Sequence, residues 1–148
     1  MLLSKPASCF VDALEIALGV PADNLAEGYR KLVGKPSHDP DVEGYHPAIV
    51  NMVLVEQFGR GLSQLEFVPV TEDGEPISDR LSEALASWFH RPGFRCVVTG
   101  LRADGNAHAL AFRGGRFIDP ATGNDLEEPN IGLQYVWCLS VPPVEVTP

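Results

Sequence analysis

The sequence predicts one α+β domain, with N-terminal helices packed on a C-terminal antiparallel sheet, and three observations predict it. Apolar residues recur at helical spacing through most of the first ninety positions, with Gly and Pro as punctuation. From Phe94 onward the chain changes to short β-branched and aromatic runs separated by turn residues. Its 148 residues suit a single core, and helices followed by strands is the α+β layout, with the helices expected on one side of a strongly twisted sheet.

The first helix is expected from about Ser8 to Leu18, with Ser8 as cap and Gly19 as stop, which puts Cys9 in its first turn. Apart from Asp12 and Glu15 it is apolar on nearly every side, as a helix surrounded by protein is, and Ala13 and Ala17 allow close approach to a sheet. A second helix follows Pro21, capped by Asp23 and ended by Gly34. A third runs from about Pro47 to Phe58, with Ile49, Val50, Val53, Leu54 and Phe58 in helical register. LEFVPV reads as a short strand, and SDRLSEALASWF as a fourth helix capped by Ser78. The strands of the sheet are FRCVVTGL, AHALAFR, RFID and LQYVWCLSV, and the tail VPPVEVTP reads as loose.

Apolar residues make up 45% and charged residues 21% of the chain, an ordinary globular balance. Eleven Lys and Arg stand against twenty Asp and Glu, a net charge of -9, and no basic cluster is present to neutralise a phosphate backbone, which excludes nucleic acid as an expected partner. The amino terminus MLLSKPASCF lacks the basic start and long apolar stretch of an export signal, and no apolar run approaches a membrane span, so a soluble cytoplasmic protein is expected. Three widely spaced cysteines fit neither a zinc site nor a disulfide framework. Cys96 and Cys138 sit in apolar contexts and are expected to be inert, buried thiols.

Gly114 and Gly115 carry a geometric consequence. Two glycines between alternating strands favour a two-residue hairpin turn, both central positions taking positive φ. Arg113 then faces Arg116, Phe112 faces Phe117, Ala111 faces Ile118 and Leu110 faces Asp119. His108 shares a face with Leu110 and becomes a diagonal neighbour of Asp119, close enough for imidazole and carboxylate to lean together. A carboxylate in that position fixes the tautomer of a catalytic histidine. Cys9, at the positive end of a helix dipole, has one of the two features that lower a thiol pKa; a central helix packed on the face carrying His108 and Asp119 supplies the other. Asn106 and Asn124 are rival orienting residues.

Two segments carry a resemblance. SCFVDALEIALGVPADNLAEGYRKLVG is similar to the nucleophile segment of papain-like cysteine peptidases, in particular the small bacterial group related to bacteriocin-processing peptidases. GNAHALAFRGGRFIDPATG resembles the same family's histidine strand, hairpin and acidic residue before proline. The resemblance implies a papain-like fold and a Cys-His-Asp triad: Cys9 as nucleophile, His108 as base and Asp119 as orienting residue. It implies cleavage of an amide bond in a peptide or protein substrate through a thioester, with no metal or organic cofactor. Acyl transfer or deamidation by the same triad, and a binding module without catalysis, are the alternatives. The family's oxyanion glutamine shortly before the cysteine is absent; Leu3 stands there, with Ser4 beside it, so Ser4 and Ser8 are the candidate second oxyanion donors.

Other polar clusters read as structural. His38, Asp39, Asp41, Glu43 and His46 could be taken for a metal loop, but no rigid element holds them in an oxygen cage, and His46-Pro47 serves as a helix entry. His90 follows the fourth helix, where it can meet the negative end of the dipole. Trp88 and Trp137 are expected in the core or lining a groove.

Overall fold

A computed structural model describes residues 8–37, 39–67, 70–77 and 79–139, the side chains of 79–82 excepted. Within them lie five α-helices, α1 (Cys9–Leu18), α2 (Ala22–Val33), α3 (Pro40–Glu43), α4 (Pro47–Phe58) and α5 (Asp79–Trp88). The strands are β1 (Leu62–Glu66), β2 (Cys96–Leu101), β3 (Ala107–Arg113), β4 (Arg116–Ile118), β5 (Asp125–Leu126) and β6 (Gly132–Leu139). They form one sheet in the order β1-β6-β2-β3-β4-β5, each pair antiparallel. The α+β class follows directly.

The apolar sequence of α1 has the expected result: Ala13, Leu14 and Ala17 have no exposed surface. The helix packs mainly on β3 and also on β2 and α2, and Gly19 closes it in the left-handed region at φ 73°, donating to the Glu15 carbonyl. Ser8 occupies the N-cap position but makes no capping bond with its side chain. Its hydroxyl donates instead to Asp12 Oδ2 at 2.9 Å. The second helix begins one residue ahead of Asp23, with Pro21 at its N-cap. Ser78 lies outside the described residues.

The glycine hairpin has the predicted register. Arg113 faces Arg116, Phe112 faces Phe117 and Ala111 faces Ile118, and Gly114 and Gly115 both have positive φ, 59° and 75°. Two expectations are corrected. The strand expected at LEFVPV lies further toward the N-terminus, at Leu62–Glu66, where Leu62 turns into the core. The helices are not all on one side of the sheet. One apolar cluster joins α1, α2 and α4 to Val97, Ala109, Ala111 and Trp137. The other joins Leu85 of α5 to Cys96, Val98, Leu110, Phe112, Phe117 and Val136. A sheet with large apolar side chains on both faces needs cover on both, and α5 contributes to the second.

The same alternation decides where the site lies. Ala109 and Ala111 point to α1, so Leu110, and with it His108 and Asp119, belong to the opposite face by register. The helix therefore does not cover the face that carries the histidine and the aspartate, contrary to the sequence expectation. Small residues at 109 and 111 are what admit the helix closely, and they are out of phase with His108.

Candidate active site

The ladder around β3 explains how α1 and the His108 pair nevertheless border one region. A two-residue hairpin closed at Arg113 and Arg116 directs the backbone N–H groups of Arg113, Ala111 and Ala109 toward β4. β4 ends at Ile118, and Pro120, next in register with Ala109, has no N–H. The edge of β3 is open there, and the Ala109 N–H lies near enough to the Cys9 thiol to favour its thiolate. Cys9 is the first residue of α1 and is buried.

His108 is 3% and Asp119 5% exposed. The imidazole Nε2 meets Asp119 Oδ1 at 2.8 Å, the contact that the hairpin register predicts. Asp119 is also held by its own turn: Oδ1 accepts from the Ala121 N–H at 2.9 Å and Oδ2 from Asn130 Nδ2 at 3.4 Å. Burial pushes its carboxyl up, but the Ala121 N–H, the His108 ring and the Asn130 amide together hold it below the usual carboxylate range. It is an anion positioned to orient and charge-stabilise an imidazole.

Arg102 is the main feature that the sequence reading passed over. Its Nη2 lies 3.1 Å from Nδ1 and 3.2 Å from Nε2 of His108. The lone pairs of the two nitrogens diverge in the ring plane, so one donor at nearly equal distance from both lies off that plane, its N–H directed at the ring face and not along either lone pair. A signal for it exists in the sequence. The turn at Ala103, Asp104 and Gly105 pairs Arg102 with Asn106 through the main chain, which puts Arg102 on the same face as His108, one step along the ladder. The rivals for the orienting role stand elsewhere. Asn106 is exposed and donates its N–H to Asp104 Oδ1 at 2.9 Å, and Asn124 touches the site only through its carbonyl, which accepts the Asp119 N–H at 3.1 Å.

Cys9 departs from the expected activated thiol. Burial pushes its pKa up, and this outweighs the N–H groups of Ala109 and Phe10 and the nearby Arg102 charge, which pull the other way. The in-plane hydrogen bond of the imidazole runs to Asp119, the Arg102 guanidinium sits off the ring plane, and among the described residues no hydrogen bond supplies the remaining link of a triad, from sulfur to ring. What the two side chains share is a cavity of about 680 Å³, lined by both. Its walls come from the N-terminal ends of α1 and α4 and from the sheet, with Phe10, Tyr45, Tyr135 and Trp137 giving it an aromatic lining. Trp137 stands edge-on to Phe10 at 5.4 Å between ring centres, and its Nε1 donates to Thr99 Oγ1 at 2.8 Å. That makes it both core and groove wall.

Of the two oxyanion candidates, Ser4 lies outside the described residues. The Ser8 hydroxyl proton is engaged by Asp12, which removes it from that role in this conformation. The acidic loop is likewise accounted for, His38 lying outside the described residues. Asp39 caps α3 through the Asp41 N–H, Asp41 takes the Arg30 guanidinium at 2.9 Å and the Tyr45 hydroxyl at 2.7 Å, and His46 Nδ1 caps α4 through the Ala48 N–H. Among the described residues no three His, Cys, Asp or Glu side chains are placed to hold a metal ion, and no helix is long and apolar enough to cross a membrane. Trp88 is half-buried beneath the Arg91 guanidinium, 5.1 Å from its ring centre. The chain matches no protein-family model, no curated protein and no solved structure.

Proposed function

We propose that the protein is a papain-like cysteine hydrolase that cleaves an amide bond in a peptide or protein. The observation that carries this reading is the buried 2.8 Å contact between His108 Nε2 and Asp119, beside a cavity that Cys9 also lines from the first turn of a helix. With Nε2 engaged by the carboxylate, Nδ1 is the nitrogen left to take the thiol proton. Cys9 Sγ then attacks the substrate carbonyl, forming a thioester, and the imidazolium returns the proton to the departing amine. Water attacks the thioester in turn, with His108 as base, and restores the thiol. The main-chain N–H at the start of α1 and the Arg102 charge support the oxyanion, in the absence of the family's glutamine.

A second reading is favoured by one observation. The thiol is raised by burial and, among the described residues, no hydrogen bond joins it to the ring, as suits a papain-like scaffold that holds a peptide or partner protein without cutting it. A peptide-library digest separates the two. Hydrolysis predicts cleaved products, lost in Cys9→Ala and reduced about 10²- to 10⁴-fold in His108→Ala. Peptides recovered intact, with Cys9→Ala indistinguishable from the parent, overturn the hydrolase reading.

A further inference from the structure

Two cysteines that the site does not use face each other across the sheet. β2 and β6 pair with Val97 opposite Trp137 and Val98 opposite Val136. One step further along that register, Cys96 stands opposite Cys138, and both are free thiols. The kind of pair follows from the neighbouring ladder. Phe67 donates its N–H to the Gln134 carbonyl, and β1 pairs with β6 as Leu65 with Val136 and Ser63 with Cys138. Alternation then directs the main-chain groups of Gln134, Val136 and Cys138 toward β1. Seen from β2, Cys138 therefore occupies a non-hydrogen-bonded position, where opposed side chains come closest and Cα atoms lie ~4.5 Å apart. Disulfides bridge Cα separations of about 4.4–6.8 Å, and a pair at the end of its ladder is free to open within that range. Both side chains belong to the same apolar face, with Val98 and Val136 between them and the site's end of the sheet.

We infer that Cys96 and Cys138 form a dithiol that closes to a cross-strand disulfide on exposure to a low-molecular-weight disulfide such as oxidised glutathione. Cys138 is the entry point, being partly exposed, while Cys96 is fully enclosed. The Cys138 thiolate attacks one sulfur of the small disulfide, forming a mixed disulfide and releasing one small thiol. Cys96 then attacks the Cys138 sulfur and releases the second. The two protein thiols lose two electrons and two protons, and the two small thiols gain them. Burial pushes both thiols up, so closure is slow at neutral pH. The bond clamps the two strands that bring Thr99 and Trp137 to the cavity wall, and its formation does not depend on Cys9.

The test is titration of the intact, reduced protein with oxidised glutathione in native buffer, followed by alkylation of residual thiols, digestion and mass mapping. The expected result is a Cys96–Cys138 linked peptide with the loss of two hydrogens and no retained glutathione. Cys96→Ala should instead accumulate a stable glutathione adduct on Cys138, and Cys138→Ala should leave Cys96 unmodified. A stable mixed disulfide on Cys138 in the parent protein, a linkage through Cys9, or no oxidation of either cysteine overturns the inference. The parent protein alone decides among these outcomes, whether or not a variant folds.

Discussion

Replacing Asp119 with Ala tests the contact on which the candidate site rests. The carboxylate accepts from His108 at 2.8 Å, Ala121 at 2.9 Å and Asn130 at 3.4 Å. Truncation leaves three donors without a partner, and their costs differ. Asn130 is exposed and finds water, so its long bond contributes little. The Ala121 N–H closes an ordinary turn, worth roughly 1 kcal/mol. The imidazole is 3% exposed and water does not replace the carboxylate, so a charge-assisted bond worth about 1.5–3 kcal/mol is lost outright. The sum is about 2–4 kcal/mol out of a typical domain stability of about 5–15 kcal/mol, a protein that folds with a clearly lowered midpoint. Urea unfolding at neutral pH measures it, and a cycle with His108→Ala isolates the pair, with an expected coupling of about 1–3 kcal/mol. A cost below about 0.5 kcal/mol, or no coupling, refutes the buried pair. The pH dependence has a definite sign. The folded carboxyl titrates below its unfolded value of about 3.9, so its stabilisation is complete above that value and is lost as pH falls through the lower folded value. The advantage of the parent over Asp119→Asn therefore shrinks only on acidification below about pH 4.

Gly100, opposite His108 in the β2–β3 ladder, tolerates no side chain. A Cβ there would run into the Gly132 carbonyl oxygen and stand 2.8 Å from its carbon, and backbone cannot rotate away. Gly100→Ala is expected to cost at least about 1–3 kcal/mol, read as a lower melting temperature, and an unchanged melting temperature contradicts the close approach of the Gly132 carbonyl at this point. Because burial raises the Cys9 thiol, its alkylation by iodoacetamide should climb with pH and show no plateau below about pH 9. A plateau in the neutral range would reveal a thiolate–imidazolium pair already formed without substrate.

The hairpin was legible because its cause is local. Gly114 and Gly115 set the turn, the turn sets the register, and the register sets His108 beside Asp119 without knowledge of the rest of the chain. Arg102 was open to the same treatment, since the turn before Asn106 aligns it with His108. Position of the helix was legible only in half. Ala13 and Ala17 indicate close packing, but the complementary small residues on the strand are Ala109 and Ala111, one step out of phase with His108. The large aromatics of the other phase, Phe112 and Phe117, required cover from α5 on the second face.

Activation of the thiol has a different status, because it is a balance and not a contact. The place of Cys9 at a helix start is visible in sequence and gives the sign of one contribution, a lowered pKa. Its opponent, desolvation, is built by several elements together: the cavity around the sulfur is walled by α1, α4 and four strands of the sheet. No local pattern encodes that sum. In the folded chain it exceeds the help from the Ala109 N–H and from Arg102, so the thiol rests as a thiol. If hydrolysis occurs, the opposing balance must come from the substrate complex, where His108 accepts the proton at the moment of attack. Activity with a late, alkaline free-enzyme thiol titration is then the expected signature, in place of the pre-formed ion pair that the helix dipole alone suggests.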